Sequence, residues 1–289
     1  MNINRLICIV FGWLFGVSAG CSQGQIKIKQ SDQSGDRLLQ KELTALSTWQ
    51  AGETVSEAAV AAYGIDRCFV VEAICDSIFK CMQGHSYREG CPVSRDSLRY
   101  LRVLHRDVTG VIRMGELVCH VAISEDLLYI FKALYEAAYP IERMRLIDLY
   151  EGNDERSMAA NNTSSFNFRR VAGSQKLSSH SLGMAVDVNP LYNPYVRQRS
   201  NGMFTVSPRA GEPYADRSAT FPYKIERGDL CCRLFRQHGF QWGGSWIRVK
   251  DYQHFEKSRS IGNKKGGLRH LFYCMPSVVT LLSILATRP

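Results

Sequence analysis

Two short polar motifs lie far apart in this chain, and together they constrain its fold more than any other feature. The first is SSHSLGMAVD at residues 178–187, and the second is KDYQHFE at residues 250–256. Between them they offer two imidazoles, those of His180 and His254, and the carboxylate of Asp187. Two histidines and one acidic residue are a common ligand set for a catalytic zinc ion, which keeps a fourth position open. The motifs therefore predict a zinc site that forms when the fold brings them together.

The spacing inside the first motif predicts a bend. Residues 184–188 alternate in the manner of a strand, with Ala185 and Asp187 on one face. His180 and Asp187 are seven positions apart, so on one unbroken strand their side chains would point to opposite faces. We expect the bend at Leu182-Gly183, because glycine adopts turn angles at little steric cost. For either motif alone, the alternative is a set of ordinary polar residues at strand ends.

Further motifs widen the pattern. They are NNTSSFNFR at residues 161–169, NPLYNPY at residues 189–195 and HGFQWGGSW at residues 238–246. With the first two motifs, and in this order, they resemble the VanY-like D-alanyl-D-alanine carboxypeptidase and L-alanyl-D-glutamate endopeptidase family of zinc peptidases. The similarity begins weakly near Asp66 and is strong from about Leu98 to Lys257. It is greatest to the endopeptidase-type branch, whose base is Asp where the VanX-like branch has Glu.

The resemblance implies a role for five residues. His180, Asp187 and His254 bind Zn2+, and no other cofactor is expected. Asp251 activates the water as general base, and Arg169 contacts the carbonyl or carboxylate of the substrate. These roles suit the side chains, because a carboxylate within hydrogen-bond reach can accept the proton of a water and a guanidinium offers a fixed fork of donors.

The resemblance also implies the fold and the reaction. We expect an α+β domain with a small antiparallel sheet flanked by helices, of the hedgehog and D-alanyl-D-alanine peptidase type. The implied function is a zinc metallopeptidase, a peptidoglycan hydrolase that cuts the stem peptide as an L-alanyl-D-glutamate endopeptidase does. One alternative is a D-alanyl-D-alanine carboxypeptidase on the same scaffold. Another is a non-catalytic cell-wall-binding module, against which Asp251 argues because such a module needs no base.

The first residues predict export. Residues 1–21 place Arg5 before an apolar stretch and then small residues, the order of a secretory signal peptide. Cleavage after Ala19 would release a soluble periplasmic protein. The run Ala19-Gly20-Cys21 instead resembles a lipoprotein box, and we favour a protein anchored to the membrane of the cell envelope through a lipidated Cys21. The remaining chain divides into an N-terminal extension or linker (22–65), a zinc peptidase catalytic domain (66–258) and a basic, then apolar tail (259–289).

The charge distribution bears on the partners. The formal net charge is +9, but Arg5 and the basic residues of the tail, which has no acidic residue, supply most of it. A near-neutral catalytic body argues against a nucleic-acid surface, so the expected partner is the peptidoglycan stem peptide. The oligomeric state is not predicted. Ten cysteines make disulfides plausible in an exported protein, but their connectivity stays open.

Periodicity outlines the remaining elements. Residues 26–64 carry no chemical motif and are expected to form an extended linker followed by short helices. Residues 124–126 are expected to cap a helix over 127–138, which Pro140 ends. The other expectations are a helix within 68–81, a short segment from a Ser/Asp cap over 94–104, a hairpin within 111–121, a strand over 145–150 and a helix over 228–238.

Overall fold

The computed structural model describes residues 22–171 and 175–258 of the 289 residues. The predicted signal segment 1–21, with Cys21, and the predicted tail 259–289 lie outside the described residues. The α-helices in these ranges are α1 (Ser22–Thr48), α2 (Glu57–Tyr63), α3 (Asp76–Met82), α4 (Val121–Glu136), α5 (Asp154–Ala159) and α6 (Leu230–Gln237). The strands are β1 (Thr54–Val55), β2 (Val70–Ala73), β3 (Leu98–Arg106), β4 (Ile112–His120), β5 (Arg143–Met144), β6 (Asn162–Thr163), β7 (Ala185–Asp187), β8 (Tyr195–Gln198), β9 (Phe204–Ser207), β10 (Gln241–Trp242), β11 (Lys250–Asp251) and β12 (His254–Glu256). Helices and small antiparallel sheets are combined, which confirms the α+β prediction.

The largest sheet has four antiparallel strands in the order β1-β4-β3-β2. Its centre is the hairpin of β3 and β4, in which Leu98 pairs with His120 and Arg106 with Ile112. The carboxylate of Asp107 closes the turn of this hairpin by accepting hydrogen bonds from the backbone of Thr109 and Val111. Helix α4 packs on β3 and contributes a buried apolar stripe. The far end of β4, at His120, reaches the candidate site.

Two predicted elements in and beside this sheet were wrong, and the short segment predicted over 94–104 is mostly a strand. Residues 98–106 form a strand, and the leucines at 98, 101 and 104 are all buried because both faces of β3 are covered. A strand with two covered faces loses its period of two, and its apolar spacing can then imitate that of a helix. Residues 111–121 supply one strand of the hairpin rather than a whole hairpin. Residues 68–81 divide into β2 and α3.

Of the extended linker followed by short helices that was predicted over 26–64, the linker was wrong, whereas a short helix is present as α2. Helix α1 has 27 residues, and at its C-terminal end Leu46 and Trp49 are buried in the core. The Trp49 indole Nε1 donates a hydrogen bond to the carbonyl of Gly115 on β4 at 3.1 Å. Strand β1 then pairs with β4, with Thr54 opposite Arg113. Helix α1 is mostly polar, and its narrow apolar face was therefore not recognised from the sequence.

The helices on the core side were predicted more closely. Helix α4 ends at Glu136, before Pro140, but begins at Val121 because the His120 ring accepts a hydrogen bond from the Ala122 backbone at 3.0 Å and acts as the N-cap. Helix α6 lies within the predicted range 228–238, with Asp229 as its N-cap. Residues 147–150 form a 3-10 helix instead of the predicted strand.

Two three-stranded antiparallel sheets carry three of the predicted site residues, Asp187, His254 and Asp251. The sheet β10-β12-β7 pairs His254 directly with Asp187. The sheet β11-β8-β9 pairs Asp251 with Tyr195. Fully buried Phe255 stacks on Phe235 of α6, with 4.2 Å between the ring centroids. Because side chains alternate along a strand, this anchor turns His254 and Glu256 to the opposite face of β12.

Two features concern the described residues as a whole. The seven cysteines within them, at positions 68, 75, 81, 91, 119, 231 and 232, are all free thiols. None of the helices in the two described ranges is both long enough and apolar enough to cross a membrane.

Candidate metal centre

Three buried side chains converge on one point. The His180, Asp187 and His254 residues are only 3%, 8% and 6% exposed. His180 Nε2 lies 3.2 Å from Asp187 Oδ2, His254 Nδ1 lies 3.1 Å from Asp187 Oδ1, and the two nitrogens lie 3.2 Å apart. In a tetrahedral zinc site with bonds of about 2.0–2.1 Å, neighbouring ligand atoms are separated by about 3.3 Å. The donor set and its spacing therefore fit a zinc ion.

The bend in the first motif brings His180 to this point. Residues 179–182 form a 3-10 turn, and Gly183 follows in the left-handed region with φ of 64°. A Cβ atom on Gly183 would lie 2.7 Å from the backbone nitrogen of His120, which donates to the Gly183 carbonyl at 2.9 Å. The predicted bend at Leu182-Gly183 is confirmed. It seats the turn that carries His180 against the end of β4.

The outer nitrogen of each imidazole has its own partner. His180 Nδ1 lies 2.6 Å from the carbonyl oxygen of Ser165, and His254 Nε2 lies 3.3 Å from Glu256 Oε2. Outer hydrogen bonds of this kind fix the tautomer and orientation of metal-binding histidines. They leave His180 Nε2 and His254 Nδ1 facing the shared point.

The electrostatics of the cluster favour a positive charge at its centre. Burial works against protonation of His254, but hydrogen bonds to Asp187 and Glu256 outweigh it and raise the pKa of His254 to about 10. Burial would raise the pKa of Asp187, yet the charges and hydrogen bonds of His180 and His254 hold that pKa well below its ordinary value. A bound metal cation would replace the proton between these ligands, so metal binding competes with protons.

Asp251 has the properties of an acid–base group beside the cluster. Its Oδ1 atom is buried and has no hydrogen-bond partner within the described residues. Burial raises the pKa of the Asp251 carboxyl to about 6, although the charge of His254 opposes the shift. A general acid or base is most effective when its pKa lies near the working pH. A buried polar atom without a partner also costs stability, which favours a functional reason for it.

Gly243 supports both Asp251 and His254. A Cβ atom at this position would lie 2.6 Å from the Asp251 carbonyl oxygen, 2.8 Å from Asp251 Cβ and 3.3 Å from His254 Cβ. The ring of Trp246 lies 5.4 Å from the ring of His254, centroid to centroid. The turn over residues 243–246 therefore forms one wall of the site, and the backbone approaches the site residues closely because position 243 has no side chain.

Arg169 is held beside the site through its backbone. The hydroxyl of Ser181 accepts a hydrogen bond from the Arg169 backbone nitrogen at 2.8 Å, and the Arg169 carbonyl accepts one from the Ser178 backbone at 3.2 Å. The guanidinium forms an ion pair with Asp154 of α5. The structure thus places the Arg169 main chain next to the turn of His180, while its role towards substrate stays a prediction.

The hydrogen-bond partners of the outer imidazole nitrogens, His180 Nδ1 and His254 Nε2, were not predicted from the sequence. Ser165 acts through its carbonyl group, which any residue would supply, so no signal could have revealed it. Glu256 does have a signal, because it lies two positions after His254 and therefore on the same face of the strand. Ser179, which donates a hydrogen bond to Glu256, had none.

Comparison with known proteins supports the expected chemistry over part of the chain. Residues 172–257 match the sequence profile of a family described as D-alanyl-D-alanine carboxypeptidase. The match includes the three metal-ligand candidates and Asp251, but it begins after Arg169 and does not reach back to Leu98, where the strong similarity was expected to start. It supports a zinc-dependent peptidase that acts on peptidoglycan. No curated protein and no solved structure matches the chain significantly.

Proposed function

We propose that this chain is a zinc-dependent endopeptidase of the L-alanyl-D-glutamate type, which cuts the stem peptide of peptidoglycan. One observation carries the proposal: the convergence of His180, Asp187 and His254 beside Asp251, whose buried Oδ1 atom has no hydrogen-bond partner within the described residues. The assignment to the endopeptidase branch rests on the acid at position 251, which is Asp. A D-alanyl-D-alanine carboxypeptidase is the second candidate, and the description of the matched family favours it.

In the proposed mechanism, each site residue has a separate role. Zinc, when bound, lowers the pKa of a water towards about 7 and polarises the scissile carbonyl as a Lewis acid. His180, Asp187 and His254 would hold the ion, and Asp251 would accept the proton of the attacking water at its carboxylate and return it to the leaving amine. The Arg169 guanidinium would bind an oxygen of the substrate in exchange for its ion pair with Asp154.

The site argues against a non-catalytic binding module. Such a module could retain three metal ligands for stability, but it gains nothing from a buried carboxyl oxygen without a partner. The unpartnered Oδ1 of Asp251 costs stability in the folded state. A general base needs such a free oxygen atom, because that atom accepts the proton of the water.

The reaction can be tested with purified peptidoglycan. Mass spectrometry of the products separates a cut between L-alanine and D-glutamate from release of the terminal D-alanine. Asp251→Asn should retain zinc, while turnover falls about 10²- to 10⁴-fold, the usual contribution of general acid–base catalysis. His254→Ala should lose both zinc and activity. Asp66→Asn is the control, because Asp66 pairs with Lys132 at the surface.

Each result would change a different part of the proposal. Loss of zinc from Asp251→Asn would make Asp251 a ligand, and undiminished turnover would eliminate it as the base. Release of D-alanine alone would establish the carboxypeptidase. A wild-type protein that leaves both bonds intact would refute the proposed substrate.

Export belongs to the proposal as well, and it rests on residues 1–21 alone. Lipidation of Cys21 would anchor the enzyme to the membrane next to its substrate. The mass of the mature N-terminus distinguishes this form from a soluble protein that begins at Gly20.

A further inference from the structure

We propose that Glu256, anchored by Ser179, positions His254 so that its Nδ1 atom faces the metal. The inference rests on the proposed zinc site, because it concerns how one ligand of that site is oriented. Glu256 is a positioning residue in this proposal. It acts through His254 and does not touch the substrate or the ion.

The geometry around Glu256 supports this role. One oxygen, Oε2, accepts a hydrogen bond from the Ser179 hydroxyl and lies 3.3 Å from His254 Nε2. The opposite ring nitrogen of His254, Nδ1, is the atom that faces Asp187 and His180. A carboxylate can only accept hydrogen bonds, so when a metal ion takes the place of the proton between Nδ1 and Asp187, Glu256 holds the remaining proton of the ring on Nε2. That tautomer leaves the lone pair of Nδ1 free for a metal ion.

The outer hydrogen-bond partners of the two histidines differ in charge. His180 donates to a neutral backbone carbonyl, that of Ser165, whereas His254 faces a carboxylate. A carboxylate partner makes the ring a more basic ligand, and loss of such a partner typically weakens metal binding about 10- to 100-fold. The negative charge of Glu256 should therefore strengthen the bond of His254 to the ion as well as orient its ring.

The ion pair that Glu256 forms is with His254. The neighbouring cation, Lys257, binds Asp126 at 2.7 Å instead. The residues paired with Glu256 in the sheet, Gln241 and Ala185, are uncharged. In the described part of the chain, the carboxylate of Glu256 contacts Ser179 and His254, and its side chain is 30% exposed. An ordinary surface salt bridge does not account for this carboxylate.

The contact also joins the two motifs. Ser179 directly precedes His180 in the turn, and Glu256 follows His254 on β12. One carboxylate thus ties the turn that carries the first ligand to the ring of the last one. The two ligand nitrogens that this contact brackets lie 3.2 Å apart.

Three variants and one control test the proposal. Glu256→Met removes the acceptor at similar size, Glu256→Gln keeps an acceptor oxygen without the charge, and Ser179→Ala removes only the anchor. Lys257→Met is the matched control on the adjacent residue. The zinc dissociation constant is measured by competition with a chromophoric chelator, and the tautomer of His254 is read from the ring ¹⁵N shifts of the zinc-loaded protein. Thermal unfolding of the metal-free protein reports any general loss of stability.

The expected order of zinc affinities among the variants distinguishes a positioning role of Glu256 from a merely structural one. Glu256→Met should weaken zinc binding about 10- to 100-fold and disturb the ¹⁵N signature of the His254 ring. Glu256→Gln should restore the tautomer and recover most of the affinity, because the hydrogen bond persists. Ser179→Ala should fall between Glu256→Gln and Glu256→Met, and Lys257→Met should match the wild type.

Two failures can be told apart. A wild-type protein that does not bind zinc would overturn the proposed function and this inference with it. Zinc binding by the wild type that Glu256→Met leaves unchanged would overturn the inference alone. Zinc binding by Glu256→Gln that is as weak as that of Glu256→Met would also overturn the inference. If Glu256→Met cannot fold, the inference is overturned when Glu256→Gln and Ser179→Ala both retain the wild-type zinc affinity and ring shifts.

Discussion

Gly243→Ala is a small change with a large expected effect on the site. The added methyl group would lie 2.6 Å from the Asp251 carbonyl oxygen and 2.8 Å from Asp251 Cβ. Ordinary contact between such atoms needs about 3.5 Å, so Asp251 or the turn must move by roughly 0.7–0.9 Å. Overpacking of this kind costs about 1–3 kcal/mol of folding free energy. The shift at His254 is smaller, because its Cβ would lie 3.3 Å away.

Because Asp251 should move further than His254, turnover should fall more than zinc affinity does. A displacement of about 1 Å at a catalytic group costs about 10²-fold in rate, so turnover should fall by one to two orders of magnitude. Zinc affinity should fall less, since the ligand moves by only a few tenths of an ångström. Steady-state hydrolysis of muropeptides, zinc titration and urea unfolding measure the three quantities separately.

The matched control is Gly228→Ala, where an added methyl group meets no atom within 4 Å. This variant should resemble the wild type in all three measurements. Wild-type turnover and stability in Gly243→Ala would refute the reasoning, because they would show that the turn yields without moving Asp251. A loss of zinc affinity as large as the loss of turnover would place the main strain on His254 instead.

Two further predictions concern stability. Leu46→Ala should lower the free energy of unfolding by about 2–5 kcal/mol because Leu46 is fully buried where α1 meets the core, whereas Leu38→Ala, at 57% exposure on the same helix, should change it by less than about 0.5 kcal/mol; equal effects in urea unfolding would contradict the docking of α1. Burial lowers the pKa of His105 to about 4, so between pH 6.5 and 4 the unfolded chain binds a proton that the folded chain does not, and stability should fall by up to about 3 kcal/mol as the pH falls through that window. His105→Gln should reduce this slope in the metal-free protein, and an unchanged slope would rule out His105 as its source.

The local geometry of the first motif could be predicted from the sequence. The odd spacing of His180 and Asp187 required a bend, and only Gly183 offered the angles for it at little cost. Strand β7 followed from alternation over a few residues. Each of these predictions depends on neighbours in the chain, which is the range over which a sequence pattern is informative.

The errors arose where distant parts of the chain decide the structure. The segment over 94–104 was predicted without a defined conformation, because the spacing of Leu98, Leu101 and Leu104 occurs both in a helix and in a strand with two covered faces. Helix α1 looked like a linker because its apolar face is narrow and gains its stability by packing against α2 and the core. The hydrogen bond between Ser179 and Glu256 joins residues 77 positions apart, and no local pattern could have indicated it.

The direct pairing of His254 with Asp187 gives the metal a second task. These two ligands are 67 positions apart in the chain, so an ion that binds both closes a long loop in the way that a disulfide would. For a loop of this length, the entropy lost on closure corresponds to about 4 kcal/mol. A cation that binds the closed form alone stabilises it by mass action, in proportion to the logarithm of its concentration over its dissociation constant. The proposed ion would thus also join β7 to β12, and the concentration of free metal in the compartment where the chain folds would set how much stability it adds.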